Sequence, residues 1–276
     1  GGVGRAAGEG VAGASCAGAT TGVVVGYVGR WAVDVAFGSG QIGGGAGGAE
    51  ITVANVAGGA DMAYVLACDV RANTDTITAV SGGGLTWTED LTQCAGRGNH
   101  RVHLYRAAGT PSSDPFTVTI DLSDATGTRT AAISRYTGAD VAGTPFAGAA
   151  GKNSNGDGGA CTGGTGSDTP TLDLTSLIGG SILVGAVGPR GFAVSVADAD
   201  YTQRALASAG AGGEQLDLYL YDRLLAVAAG VVFYMLLALF PALTALVSLY
   251  GLVTDPSAIT GPPPPRASQH LPPRPP

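Results

Sequence analysis

Few residues in this chain carry chemistry, and their spacing limits what they can do. His100 and His103 are two of only three histidines. A metal pair needs both imidazoles on one face, but on a strand an odd spacing puts them on opposite faces. No zinc site is expected, and His103 reads as a solvated strand residue beside Arg101 and Tyr105. Asn153-Ser154-Asn155-Gly156-Asp157-Gly158 has side-chain oxygens at alternate positions before a turn glycine, the spacing of a calcium loop. Asn stands first, however, and Gly164 stands where the bidentate Glu belongs, so a polar surface loop is expected. Asp198 and Asp200 read as a turn before Tyr201. There is no GxSxG nucleophile motif. Gly2-Val3-Gly4-Arg5-Ala6-Ala7 lacks the strand that a dinucleotide loop follows, and Gly151-Lys152 lacks the rest of a P-loop. Trp87, Tyr105 and Tyr136 are the aromatics that a ligand platform would use, and strand packing is their expected fate. These residues point to a non-enzymatic protein with no cofactor and no metal.

The four cysteines, Cys16, Cys68, Cys94 and Cys161, show no CxxC spacing. Cys68 alternates with Tyr64, Leu66 and Val70 and reads as a buried small hydrophobe. Cys94 and Cys161 lie in loop-like sequence and form the expected bridge in an oxidising compartment, although four cysteines allow three pairings. The net charge is −7 and Lys152 is the one lysine. With no cluster of basic residues to neutralise phosphates, nucleic-acid binding is not expected.

The elements that must position these residues are strands. From about residue 51 apolar and polar side chains alternate with period 2, most clearly at 116–123, where Phe116, Val118, Ile120 and Leu122 share one face. Similar runs occur at 62–70, 76–80, 85–89, 101–106, 130–136, 171–175, 181–187, 201–207 and 216–221, separated by Gly, Pro, Asn and Asp. Short strands with such punctuation and no amphipathic helix predict an all-β fold, an antiparallel sandwich of jelly-roll or Ig-like type over 41–221. Residues 1–40 read as a Gly/Ala-rich segment. Without Met or a signal peptide at its start, the chain reads as a gene fragment that begins within a longer protein.

Residues 224–253 then form an apolar run without a charge. As a helix it would measure roughly 45 Å against a hydrocarbon core of about 30 Å, so one long transmembrane helix is expected over 222–256, with tilt or a kink at Pro241. The Pro-rich tail, 257–276, is expected to be disordered or polyproline II.

Two resemblances meet near Asp222. Asp222-Arg223, Ala228-Ala229-Gly230, Phe233-Tyr234, Leu236 to Pro241 (including Leu237 and Phe240) and Leu249-Tyr250-Gly251 resemble the opening transmembrane segment of the YihY/BrkB family of bacterial inner-membrane proteins. That family has several transmembrane helices and an unsettled, possibly transport, function. Ser81 to Thr88, Gln93 to Arg97, Ala131 to Asp140, Gly159 to Gly164 and Ile182 to Arg190 are similar to uncharacterised secreted or phage-associated sandwich domains. Such domains would be expected to continue for another strand or two after 216–221, and their loss would leave an unpaired sheet edge.

The expected function is therefore a surface or extracytoplasmic binding module with an unknown surface ligand, tethered to a lipid bilayer at the bacterial inner membrane or cell surface. Two alternatives are a truncated or fused YihY/BrkB-type fragment and a carbohydrate-active domain. The latter requires two carboxylates about 5–10 Å apart in a groove.

Overall fold

The computed structural model describes residues 9–15, 22–29, 31–71, 75–95, 99–139, 141, 145–153, 171–175, 182–189, 195–196, 201–224 and 237–248. Alternation becomes sixteen strands among these residues: β1 (Glu9–Ser15), β2 (Gly22–Gly29), β3 (Trp31–Ala46), β4 (Glu50–Val56), β5 (Met62–Arg71), β6 (Ile77–Gly82), β7 (Thr88–Cys94), β8 (His100–Gly109), β9 (Phe116–Leu122), β10 (Thr128–Ala139), β11 (Phe146–Asn153), β12 (Thr171–Thr175), β13 (Ile182–Pro189), β14 (Ser195–Val196), β15 (Thr202–Ala209) and β16 (Leu216–Leu224). Every ladder is antiparallel. The all-β sandwich class expected from the alternation holds.

The strands form four sheets, ordered β4-β9-β6, β3-β10-β5-β8-β7, β11-β2-β13-β16-β15 and β12-β1-β14. The β3-β10-β5-β8-β7 sheet is covered on both faces. One core joins Tyr64, Leu66, Cys68, Val70, Ala131 and Ile133 to Phe116, Val118 and Ile120 of β9. The other joins Val65, Ala67, Leu104, Ala132 and Tyr136 to Val184, Ala186, Leu218 and Leu220. This explains why β5, MAYVLACDVR, is apolar on both sides and buried along its whole interior, whereas β9 alternates cleanly. An inner sheet needs apolar residues on both faces, and an outer sheet needs one apolar face. Each outer sheet thus closes one side of a two-layer sandwich, and the two sandwiches meet through their five-stranded sheets.

Three connections cross between the first pair of sheets at one end: β3 to β4, β5 to β6 and β9 to β10. The side chain of Arg129, 1% exposed, lies among them. It donates to the carbonyls of Asp124 (2.7 Å), Thr126 (2.8 Å) and Gly48, and pairs with Asp75 at 3.4 Å. Asp75 also accepts from Ser123 Oγ (2.9 Å) and the Asp124 amide (3.0 Å). The backbones join as well, through Gly47 N to Gly127 O and Ser123 N to Thr76 O. Burying a guanidinium is costly unless its donors are engaged, and although Nε is left without a partner, the two terminal nitrogens tie all three loops together.

Sequence and structure differ in several places. Residues 1–40, read as a Gly/Ala-rich segment, contribute β1, β2 and most of β3; their many small residues give no polar–apolar pattern to detect. The strand expected at 85–89 starts later, at Thr88, because Gly82 (φ 140), Gly83 (φ 63) and Gly84 (φ 65) turn the chain and 85–87 lead into β7. A separate unit begins at Ala229. In it residues 237–248 are helical, and among the described residues no helix is long and apolar enough to cross a membrane. Twelve residues at 1.5 Å rise make about 18 Å, short of a core of about 30 Å. Residues 222–224, expected to begin the helix, instead end β16, where they pair with β13; the rest of the run lies outside the described residues, as does the Pro-rich tail.

Removing the Arg129 side chain leaves Asp75 and three carbonyls without their donor. Arg129→Ala is expected to lower unfolding free energy by about 3–5 kcal/mol, the cost of breaking a buried pair, visible as an earlier urea midpoint. A midpoint within error of the parent protein would contradict this role.

Candidate functional site

Strands β7 and β8 bring together a cluster of titratable groups that includes Glu89, Asp90, His100, His103, Tyr105 and Arg106, and β7 is an edge strand. A register shift between Glu89 and Leu91 lets Asp90 bulge out of the ladder. On one face of this ribbon His103 Nδ1 meets Glu89 Oε1 at 2.7 Å and Thr92 Oγ1 at 3.1 Å, and Thr92 also donates to Glu89. Tyr105 hydrogen-bonds to the same carboxylate. Partial burial works to raise the Glu89 pKa, but the hydrogen bonds from His103, Thr92 and Tyr105 outweigh it and hold it below its ordinary value. Beneath this carboxylate the Cys68 thiol is wholly buried and free. Burial first, then the Asp69 and Glu89 charges, push its pKa far above the ordinary thiol value, which leaves it unreactive.

The opposite face of β8 points into the sandwich interface. His100 Nδ1 lies 2.9 Å from Asp69 Oδ1, and both side chains are fully buried. Asp69 Oδ2 rests against the backbone of Gly188 on β13, where an added Cβ would overlap the carboxylate. His100 and His103 therefore do lie on opposite faces, one in each core layer. His103, however, is 3% exposed and not solvated; the outer sheet and Glu89 cover it. A sealed Asp–His pair with no opening to solvent is a packing element.

A cavity of about 280 Å³ opens where β7 and β8 meet the start of β11. It is lined by Thr86, Thr88, Arg106, Val141, Pro145 and Phe146, among others. The Arg106 guanidinium sits 5.4 Å from the centre of the Phe146 ring and 3.4 Å from Asp90. Burial raises the Asp90 pKa, opposed by Arg106. An aromatic edge, a guanidinium and two threonine hydroxyls around one opening can take a small polar ligand by stacking and hydrogen bonds.

The other sequence candidates distribute as follows. Tyr105 and Tyr136 are buried, and Trp87 packs on Tyr64 with ring centroids 6.2 Å apart while its Nε1 donates to Gly82 O. These three form no platform. Asn153 is buried and donates to Cys94 O at 3.1 Å, so the first position of the calcium-like loop is committed elsewhere. Its other positions, and Asp198 and Asp200, lie outside the described residues. Cys94 ends β7 and is disulfide-bonded; Cys161 and Cys16 lie outside the described residues.

Of the residues carrying the membrane-family resemblance, Asp222 and Arg223 belong to β16. Asp222 is buried and accepts from Arg204 Nε at 2.7 Å. Leu237, Phe240 and Pro241 lie in the helical stretch 237–248, and Leu237 and Phe240 are exposed. Gly230, Phe233, Tyr234, Tyr250 and Gly251 lie outside the described residues. Sequence reasoning missed Arg106 and Phe146 as a pair, since they come from strands separated by three changes of sheet. Comparison with family models, curated proteins and solved structures gives no match.

The lowered Glu89 pKa contributes stability that is complete above the unfolded-state value and lost as pH falls through the native one. Acidification below the ordinary value of 4.5 should therefore lower Tm in part through this group. In Glu89→Gln the Tm should be lower at neutral pH and change less on acidification. Parallel Tm–pH curves for the two proteins would rule out the Glu89 contribution.

Proposed function

We propose that this chain is a non-enzymatic, extracytoplasmic or surface binding module whose C-terminal apolar segment contacts a lipid bilayer. The observation that carries this reading is the helical stretch 237–248, in which every residue is exposed. Leu237, Leu239, Phe240, Leu243, Leu246 and Val247 all face outward. The hydroxyls of Thr244 and Ser248 turn back to the carbonyls of Phe240, Pro241 and Thr244. A helix apolar on every side, with its few hydroxyls satisfied internally, suits a lipid environment better than water. The proposed membrane span extends this stretch toward 225–253, after the end of β16 at Leu224.

The Cys94 disulfide supports an oxidising compartment, and the pairing expected from the sequence is Cys94–Cys161. The alternation of β3 to β10 between two sheets supports the jelly-roll form of sandwich. The ligand site of this reading is the cavity beside Arg106 and Phe146. A second reading is that the apolar segment is a fused piece of a YihY/BrkB-type membrane protein; the chain divides into two units after Ala228, and Asp222 and Arg223, which open that resemblance, lie in β16 of the first unit.

Three measurements test these points. The protein should co-float with phospholipid vesicles and resist carbonate extraction, whereas recovery in the carbonate supernatant would sink the tether. Peptide mapping without reduction should find the Cys94–Cys161 peptide; a Cys16–Cys94 peptide would overturn that pairing. On a glycan array, binding by the intact chain should be lost in both Arg106→Ala and Phe146→Ala. Binding that survives both changes places the ligand elsewhere.

A further inference from the structure

The two sandwiches have the same topology, with one displacement in chain order. The first pairs β3-β10-β5-β8-β7 with β4-β9-β6, and the second pairs β11-β2-β13-β16-β15 with β12-β1-β14. Advancing β3 through β8 by eight strands gives β11 through β16, position for position. The remaining two places, held by β9 and β10 in the first sandwich, are held in the second by β1 and β2.

Details below the level of topology agree. The ladder β7–β8 shifts register between Glu89 and Leu91, and β15–β16 shifts between Gln203 and Ala205. The bulged residues are Asp90 and Arg204. Each pairs with the adjacent strand, Asp90 with Arg106 at 3.4 Å and Arg204 with Asp222 at 2.7 Å. This is one ion pair with its charges exchanged. Asp69 on β5 packs on Gly188 of β13, and these are matching positions of the two copies when Val65 is aligned with Val184 and Ala67 with Ala186.

We propose that the chain holds two copies of one eight-stranded sandwich, and that β1–β2 is a strand-donor pair completing the second copy, a service that another molecule of this chain can perform equally. In the second sandwich β2 sits between β11 and β13, and β1 between β12 and β14, so the pair fills a slot in each sheet. The ladders that hold it are the same whichever molecule supplies it. Only the passage from β2 to β3 differs, and Arg30 alone separates them. Exchange of an identical element across a short hinge is a low-cost route to a dimer. The partner is therefore a second copy of this chain, bound by backbone pairing of an extended segment.

Val25 and Ala186 are opposite one another in the β2–β13 ladder. The full-length Val25→Cys/Ala186→Cys double variant should yield a disulfide-linked peptide joining positions 25 and 186. Its absence would overturn the donor assignment. The two single variants, one isotopically labelled, are then unfolded, mixed and refolded together at high concentration. A 25–186 peptide linking heavy and light chains is the expected result; its absence from the mixture, with the link formed in the double variant, overturns exchange between copies. A second measurement needs no substitution. Light scattering on the parent chain refolded at high concentration should find a species of twice the 27.0 kDa chain mass. That species should fall in a variant with a flexible insertion after Arg30, and a monomer alone under both conditions overturns the proposal.

Discussion

The first sandwich depends on one buried charge. Arg129 projects from β10 into the end of the molecule where the chain crosses three times between sheets, and its donors reach the carbonyls of two of those crossings and the Asp75 carboxylate of the third. Hydrophobic burial alone would let the two sheets slide or rotate against one another, because apolar contact is non-directional. A guanidinium has donors at fixed angles and cannot lose its charge, so an unsatisfied arrangement is strongly disfavoured. The opposite end shows a lighter version of the same device, with Arg135 donating to Gly58 O and Asp114 accepting from the Gly58 amide at 2.7 Å. Between the two ends the cores are almost wholly apolar.

The interface between the sandwiches is specified in a similar way. Tyr136 on β10 is fully buried, and burial followed by the Asp222 charge raises its pKa well above the ordinary value, so it remains a neutral donor. Asp222 lies between Tyr136 and Arg204; burial raises its pKa, while the Arg204 guanidinium opposes that and keeps the carboxylate paired. The Asp69–His100 pair occupies another place along the same interface, with Gly188 leaving room for its carboxylate. A sheet slipped by one residue would turn each of these groups onto the wrong face. Their contribution is to fix register, since replacing buried ion pairs by apolar residues often costs little stability.

How much of this was legible in the sequence depends on residue type. The alternation at Phe116, Val118, Ile120 and Leu122 gave β9 directly, and TLDLT gave β12, because those side chains differ sharply in polarity between faces. Strands β1 and β2 are built mainly of Gly, Ala and Val, so period 2 leaves little polar contrast to read. The strand expected at 85–89 was displaced by a glycine turn whose length the pattern does not encode. Arg129 looked like any scattered surface arginine; only the convergence of three loops reveals its burial. His103 was misplaced for the same reason, since the sequence does not say that Glu89 and an outer sheet lie over it. The Arg106–Phe146 cavity is a product of tertiary contact and left no local signal.

The duplication explains why the sequence of a sandwich domain ending at β16 looked incomplete. A fold of this topology needs two more strands after the hairpin β15–β16, and without them β11, β13, β12 and β14 would all present open backbone. The chain meets the need with strands some two hundred residues earlier. That choice has a consequence for folding. Strands β3 to β10 are contiguous in the chain, so the first sandwich can form without a strand from elsewhere, although its β3–β10 and β4–β9 pairings join segments distant in sequence. The second must either hold β1–β2 in reserve until β16 exists or accept them late, which imposes the largest loop closure in the molecule on its final step. In that interval the free slot and the free strand pair are complementary surfaces on every copy, and the outcome is set by which donor arrives first. A contiguous stretch of chain therefore builds one sandwich, and concentration decides whether the other is completed from within or from a neighbour.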